Sequence, residues 1–510
     1  MKIVIVGAGI AGLSAGIYAK KSGYEVEIYE KNPGAGGCCS AWKRGDYTID
    51  NCIHWLTGTK KGTPQYNIWK ELGVIKDDDV FIERESFYTS EYEGKCATLW
   101  RDLERTRKEM LEISPEDEKE INRFIDCIRL GVNLQSPADD PSGKKKVFKD
   151  TAYSISRAEL IRTLLTYTGQ TLEDMSHKIK SPLLKMITLD FMSKNYESLW
   201  LAMAYSFFVA GNGDLLPGGS AVIPERMVET FTGLGGKLFL NSPVEKVSIN
   251  EKNDFSGHGL FRKKKYASAG VFLEDGRFIE ADYIICACDM HYTFCHLLNR
   301  KFYPESLRKA YSNNKKNIIY SSFHVAFAVD GLFEEINDTI YFDCEPFDVG
   351  LSRIRRICVK NYRNYGDYIA PEGKTIIQCS VIQYKRDAFF WQRLHDKDEN
   401  IYRLNKENVA RAIQYRIEKK YPQYSDRLHI LDTWTPYTYR KRNNCHAGAY
   451  MRFITKVVNT KAFLPSDIKG LSNVLLANHW LRYPGGTPTA ALMGKVAVER
   501  ITALESKNDN

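Results

Sequence analysis

The hydrophobic pattern opens with a short apolar run, Lys2-Ile3-Val4-Ile5-Val6, as a buried parallel strand requires. A helix from about Ala11 to Ser22 follows and is closed by Gly23, and Val26 to Glu30 reads as a second strand. From about Tyr66 to Leu215 the pattern changes to helices with charged faces, such as Pro115 to Gly131 and Arg157 to Gly169. Ser136 to Gly143 interrupts them as a mobile loop. Leu183 to Val209 is rich in Leu, Met, Phe and Tyr, and within it Leu199 to Ala210 reads as a buried helix; apolar chamber wall and plain core are equally compatible with its periodicity.

Farther on, a helix runs to Thr232, Asn250 to Ala269 is a polar, basic insertion, and Val271 to Glu274 and Arg277 to Glu280 flank the hairpin turn Asp275-Gly276. Residues from His291 to Lys461 alternate strands (Ser321 to Val329, Lys374 to Tyr384) with helices (Asn405 to Lys420). Asn473 to Trp480 reads as a strand, and Tyr483 to Gly494 opens a helix reaching Ile501, with a frayed tail after Glu505.

The first apolar run leads directly into Gly7-Ala8-Gly9-Ile10-Ala11-Gly12, so G-x-G-x-x-G stands between a strand and a helix. Gly7 permits the tight turn, Gly9 lets a pyrophosphate approach the backbone, and Gly12 lets the helix pack close to the sheet. Ile10 and Ala11 begin a helix whose free N–H groups and positive dipole end suit phosphates. Glu30 ends the second strand, where its carboxylate accepts from a ribose 2′-OH and repels the 2′-phosphate of NADP. Strand, helix, acid and spacing together predict a dinucleotide site.

Glu30-Lys31 followed by Gly36-Gly37 resembles the extended FAD-binding motif of the amine oxidase and phytoene desaturase superfamily. Three further stretches resemble the same family. Ile49-Asp50-Asn51-Cys52 matches the end of its flavin-side hairpin, with cysteine in place of glycine; Pro217 to Val247 matches the return to the FAD domain, where the residue matching Val244 meets the adenine end through its backbone. Pro484-Gly485-Gly486-Thr487-Pro488 is similar to the closing Pro-Gly-x-Gly-x-Pro segment, one residue shorter, whose helix N-terminus faces the flavin pyrimidine.

The resemblance covers about the first 55 residues, Pro217 to Asp289 and the last 40. It implies an α/β fold: a Rossmann-like FAD-binding domain from 1–65, 216–300 and 466–510, interleaved with a mixed α+β substrate domain from 66–215 and 301–465 carrying a helical lid. It implies FAD as cofactor and a hydrophobic lipid as partner.

Composition narrows this picture. The 510 residues exceed one ordinary core, consistent with two interlocked domains. No stretch supplies the ~18 or more apolar residues of a membrane span. The first strand begins at once, which predicts no signal peptide, and the twelve cysteines show no disulfide framework, so a cytoplasmic protein with reduced thiols is expected. The net charge of +9 lies in clusters such as Lys144-Lys145-Lys146, Arg262 to Lys265, Arg353 with Arg355-Arg356, and Arg440 to Arg442. They read as solvated loops or as contacts with the inner membrane face, and no nucleic-acid motif accompanies them.

Candidate proton carriers are His54, after the flavin-side hairpin, His479, before the closing glycines, and His446. Cys38-Cys39 lacks the C-x-x-x-x-C spacing and the NAD(P) domain of disulfide reductases. Cys286, Cys288, His291 and Cys295 lack a spaced C-x-x-C, so buried thiols and no metal are expected. No second G-x-G-x-x-G in strand context appears, which leaves a quinone, O2 or a soluble carrier as electron acceptor.

What the resemblance implies is an FAD-dependent desaturase or saturase acting on C–C bonds of a polyene or isoprenoid lipid. The alternatives are a redox-neutral isomerase using reduced FAD, an amine oxidase, and a non-catalytic prenyl-lipid-binding protein like the Rab GDP-dissociation inhibitors.

Overall fold

The structure, a computed structural model, describes residues 1–52, 55–135, 166–256, 263–455 and 464–508. Lys2–Val6 lies inside a nine-stranded sheet, parallel to Glu25–Tyr29 on one side and to Tyr283–Cys286 on the other. Leu471–Leu476 lies parallel beside Tyr283–Cys286, and Lys237–Phe239 beside Glu25–Tyr29. These short strands are buried almost throughout, which is why they read as unbroken apolar runs.

Helix Ile10–Lys21 covers the sheet and is ended by Gly23 at φ +86. Helix Thr487–Asn508 packs on it so closely that a Cβ at Gly494 would sit 2.5 Å from the Ala11 carbonyl oxygen. The helix runs past Ile501, so the polar tail expected to fray continues it to Asn508. The preceding strand is shorter than its apolar pattern: it stops at Leu476, and His479–Leu481 forms a 3-10 turn capped by the Asn478 side chain.

A seven-stranded sheet forms the second layer, in the order Leu428–Trp434, Tyr320–Val329, Thr375–Tyr384, Ser352–Asn361, Thr339–Val349, Ser86–Tyr92, Lys95–Trp100. The last two strands correct the all-helical reading of 66–215. Their hairpin is closed by Glu93 and Gly94, both at positive φ, and it occupies the sheet edge, where polar residues such as Thr89 and Thr98 are accommodated.

On the strands nearest the chamber, side chains alternate with period two, and the phase shifts at the irregularity between Asp343 and Phe347. Phe323, Val325, Val359, Ile377 and Cys379 face away, under helices Lys385–Lys397 and Glu399–Lys420. Their neighbours point the other way, into the interior.

The predicted hairpin turn at Asp275-Gly276 is present, joining Lys263–Leu273 to Phe278–Glu280. The basic insertion is less of an interruption than it reads: Val244–Ser256 and Lys263–Leu273 form one long antiparallel ladder, and 257–262 lie outside the described residues. So do the loop at 136–143, Lys144 to Lys146, and most of the helix expected from Arg157. Helices Glu118–Asn133, Pro182–Leu189 and Ser198–Val209 pack over the inner face of the seven-stranded sheet.

Candidate active site

Between the two sheets lies a chamber of about 1380 Å³, larger than the roughly 300–1,000 Å³ of an ordinary small-molecule site and able to hold two ligands side by side. One end is main chain. Gly7, Gly9, Ile10 and Ala11 reach it from the first turn, Gly36 and Gly37 from the segment after Glu30, Val244 from the long hairpin, and Gly485, Gly486, Thr487 and Pro488 from the closing segment. Gly12 does not line it, for a reason in its packing: a Cβ there would fall 1.9 Å from the Gly7 carbonyl oxygen. Gly36 N–H donates to the Ala8 carbonyl at 2.8 Å, so the first turn and the glycine pair are stitched together.

Helix Ile10–Lys21 has no side-chain cap, which leaves its first N–H groups turned to the chamber. Glu30 is buried; its Oε2 accepts from Ala8 N–H at 2.8 Å and its Oε1 from Asn32 N–H and the Asn32 amide. Oε2 therefore keeps a lone pair. Lys31 is tied by its Nζ to the Lys441 carbonyl at 2.9 Å and to Asn444 Oδ1 at 2.8 Å. Burial lowers its pKa from the ordinary value. Asp289 also faces this end, pushed up to about 6 by burial, with Oδ1 accepting from Tyr292 N–H and Oδ2 without a partner.

The histidines separate. His479 lines the chamber and its Nδ1 receives Gly486 N–H at 3.5 Å; burial, helped by the charge of Arg452, holds it down at about 4, so it is neutral at pH 7. His446 does not line the chamber. It stacks on His291 at 3.9 Å between ring centroids, beside Tyr311, and burial holds it at about 3. His54 lies outside the described residues.

His324, absent from the sequence candidates, does line the chamber: it stacks on Trp434 (4.9 Å, 6°), its Nε2 has no partner, and burial lowers it to about 3. Its signal was the alternation of Tyr320–Val329, where every second residue faces inward.

The rest of the chamber has two faces. Strand Ser86–Tyr92 contributes Phe87, the bend after helix Pro182–Leu189 contributes Phe191, and helix Ser198–Val209 contributes Trp200, Met203 and Phe207, an apolar and aromatic roof. The inner face of the seven-stranded sheet is the floor, and it is polar: Ser322, Ser380, Gln378, Tyr341, Cys358 and Lys360 join His324 there. Ser322 and Tyr450 share a hydrogen bond of 2.6 Å, and Gln378 donates to the Asp50 carbonyl at 3.0 Å.

All twelve cysteines are free thiols. Cys38 and Cys445 stand 3.9 Å apart in the chamber wall, sulfur to sulfur, and Cys39, beside them in the wall, donates its thiol to the Ser220 carbonyl. Among the described residues no three His, Cys, Asp or Glu side chains converge as a metal site.

The family model for flavin-containing amine oxidoreductases matches residues 10–502. The chain belongs to this family.

Among its relatives is a 1-hydroxycarotenoid 3,4-desaturase of Flavobacterium sp., 23% identical across 62% of this chain and 63% of that one. A 4,4'-diaponeurosporene oxygenase of Staphylococcus aureus is 23% identical across 99% of each chain. Solved structures with the same fold include an oxidoreductase from Methanosarcina mazei (TM-score 0.62, 15% identity, 98% of this chain and 100% of that one) and putrescine oxidase (TM-score 0.59, 15% identity, 99% of each).

FAD is the cofactor of this family, and the main-chain end fits it. The uncapped helix turn would hold a pyrophosphate and the free lone pair on Oε2 of Glu30 a ribose hydroxyl, while Gly486 lines the chamber at the start of the closing helix.

Proposed function

We propose that this protein is an FAD-dependent oxidoreductase that adds or removes hydrogen across a C–C bond of an apolar polyene or isoprenoid lipid. The observation that carries the reading is the continuity of the chamber from the glycine turn to a roof of Phe87, Phe191, Trp200 and Phe207. The carotenoid-directed names of relatives matching along the chain support the same substrate class.

When bound, the flavin supplies hydride transfer at a C–H carbon. The roof excludes water and aligns an apolar chain, since its aromatic rings bury large area with little loss of side-chain freedom. His479 carries the proton that accompanies hydride transfer: held neutral, and accepting at Nδ1, it has its hydrogen on Nε2. A protonated amine entering the same space would meet Lys360 and Arg84, which argues against amine oxidation. Among the described residues no helix is long and apolar enough to cross a membrane; basic clusters such as Arg440 to Arg442 would favour uptake of the lipid from an anionic membrane surface.

The test is to purify the protein, measure flavin absorbance, and incubate it with a C30 or C40 polyene under quinone or O2. Gain or loss of hydrogen by mass is the expected result. Absence of flavin overturns the reading, and altered double-bond geometry at unchanged mass replaces it with the redox-neutral isomerase.

A further inference from the structure

Two buried ionic groups near the chamber floor are answered within the protein, Arg84 by Asp338 at 3.1 Å and Asp50 by the Ser220 hydroxyl at 2.5 Å. The thiols of the wall meet one another instead. Cys38 Sγ and Cys445 Sγ lie 3.9 Å apart, although 407 residues separate them in the chain. Cys38 follows Gly36-Gly37 on the side of the nine-stranded sheet. Cys445 follows helix Pro436–Asn443, which comes after Leu428–Trp434, an edge strand of the seven-stranded sheet.

Residues 441–445 form a strap against the nucleotide end of the chamber. Lys31 Nζ donates to the Lys441 carbonyl and to Asn444 Oδ1, the Asn32 amide donates to the Arg442 carbonyl at 3.0 Å, and the Asn443 amide donates to Cys38 Sγ at 3.3 Å. Asn32 is also bonded to Glu30, and a Cβ on Gly37 would come within 3.3 Å of the Gly9 Cα, so the strap is fastened to the segment that borders the ribose and phosphate positions. Its backbone is held in place. Asn444 (φ +54) ends the helix in the left-handed region, which asparagine tolerates, but Ala447 (φ +53) is there too, and alanine keeps that conformation only where its surroundings impose it.

The two thiols are not equivalent. The hydrogen bond from Cys445, helped by Arg442 and the Asn443 amide, holds the Cys38 thiol below its ordinary pKa against burial and the charge of Asp289; donation to Cys38, together with burial, keeps Cys445 well above. Cys38 is therefore the nucleophile. Cys39 does not compete for it: adjacent Cα atoms stand about 3.8 Å apart across a trans peptide, short of the roughly 4.4–6.8 Å that a disulfide spans. Its thiol is engaged by the Ser220 carbonyl and by Cys52.

We propose that Cys38 and Cys445 are an oxidation site, a dithiol that closes to a disulfide and latches the strap across the nucleotide end of the FAD groove. The oxidant is hydrogen peroxide, the product when O2 takes up two electrons and two protons. The Cys38 thiolate attacks one peroxide oxygen and the O–O bond breaks, leaving a sulfenic acid and a hydroxide that takes up the proton Cys38 had released. The Cys445 sulfur then displaces the sulfenic oxygen as water, so two thiols and one peroxide give one disulfide and two waters. A thiol reductant reverses the step. With the latch shut the strap stays on Cys38, and bound FAD leaves more slowly.

The test is peroxide treatment of the flavin-loaded protein, followed by non-reducing peptide mapping and by the rate of FAD release after dilution. The Cys38 peptide is expected to be joined to the Cys445 peptide, two hydrogens lighter than their sum and separable by dithiothreitol, with FAD release slowed about 10-fold. Cys445→Ser should release FAD at the rate of the reduced protein with or without peroxide, whereas Cys39→Ser keeps both the junction and the slowing. Junction through Cys39 or Cys52, or a sulfinic acid on Cys38 with Cys445 still a thiol, overturns the oxidation site. A mapped Cys38–Cys445 bond with unchanged FAD release overturns the latch. Of the functional reading the proposal uses FAD binding alone: protein purified without flavin absorbance overturns the latch together with the oxidoreductase, and failure of the lipid substrate leaves it standing.

Discussion

At the glycine turn the chamber wall is main chain, and each residue there is specified by what it lacks. On the sheet floor the wall is side chain, and each residue is specified by what it carries. The first arrangement is held tight from behind, because a Cβ at Gly12 would strike the Gly7 carbonyl and Gly36 is hydrogen-bonded to Ala8. The second has unsatisfied nitrogen on Arg84 and His324 and a buried lysine whose pKa burial lowers. One end is fixed by shape and suits an invariant cofactor; the other is set by charge and suits a variable substrate.

The contrast is broken most severely by Gly12→Ala. A Cβ at 1.9 Å from a carbonyl oxygen forces the turn apart, and we expect loss of bound flavin together with a stability loss on the order of 4 kcal/mol in urea denaturation. Asp338→Asn comes next. It leaves Arg84 charged and buried, for a cost of about 3 kcal/mol, with flavin content retained because the damage is on the floor.

The third test uses pH. Burial lowers Lys360 from the ordinary 10.5 to about 8, acting against the attraction of Asp338 and Asp50 and together with the repulsion of Arg84. Between those two values the unfolded chain binds the proton that the folded chain has released, so this lysine makes stability rise with pH, by about 2 kcal/mol from pH 7 to 10. Lys360→Met should remove that increment, which a difference in urea midpoint between the two pH values would register. The smallest effect is expected at the joint of the two regions: Ser220→Ala removes one hydrogen bond from buried Asp50 and should cost about 1.5 kcal/mol.

The same division decided what was legible in the sequence. Main-chain sites leave glycines at fixed spacing, so the first turn, Gly36-Gly37 and the closing glycines could be read directly, as could the α/β class. Side-chain sites leave no spacing. Lys360 sits in Arg353-Ile354-Arg355-Arg356-Ile357-Cys358-Val359-Lys360, which reads as a solvated basic run; only the pairing of the strand shows that Ile357 and Val359 face the outer helices while Cys358 and Lys360 face inward.

His324 was hidden in the same way within Tyr320–Val329. The edge hairpin at Ser86–Tyr92 and Lys95–Trp100 was missed because its polar faces mimic those of a solvated helix, and its partner strand Thr339–Val349 lies some 250 residues downstream. His446 has no spacing signal of its own, and the fold stacks it on His291, away from the chamber lining.

The close seating of Gly494 on Ala11, with Leu471–Leu476 beside Tyr283–Cys286, bears on the order in which the protein can be made. An emerging polypeptide holds its complete fingerprint within the first few dozen residues, yet the supporting strand Leu471–Leu476 and helix Thr487–Asn508 follow more than 400 residues later. Until they emerge, a ribosome-bound intermediate carries an unfinished nucleotide sheet.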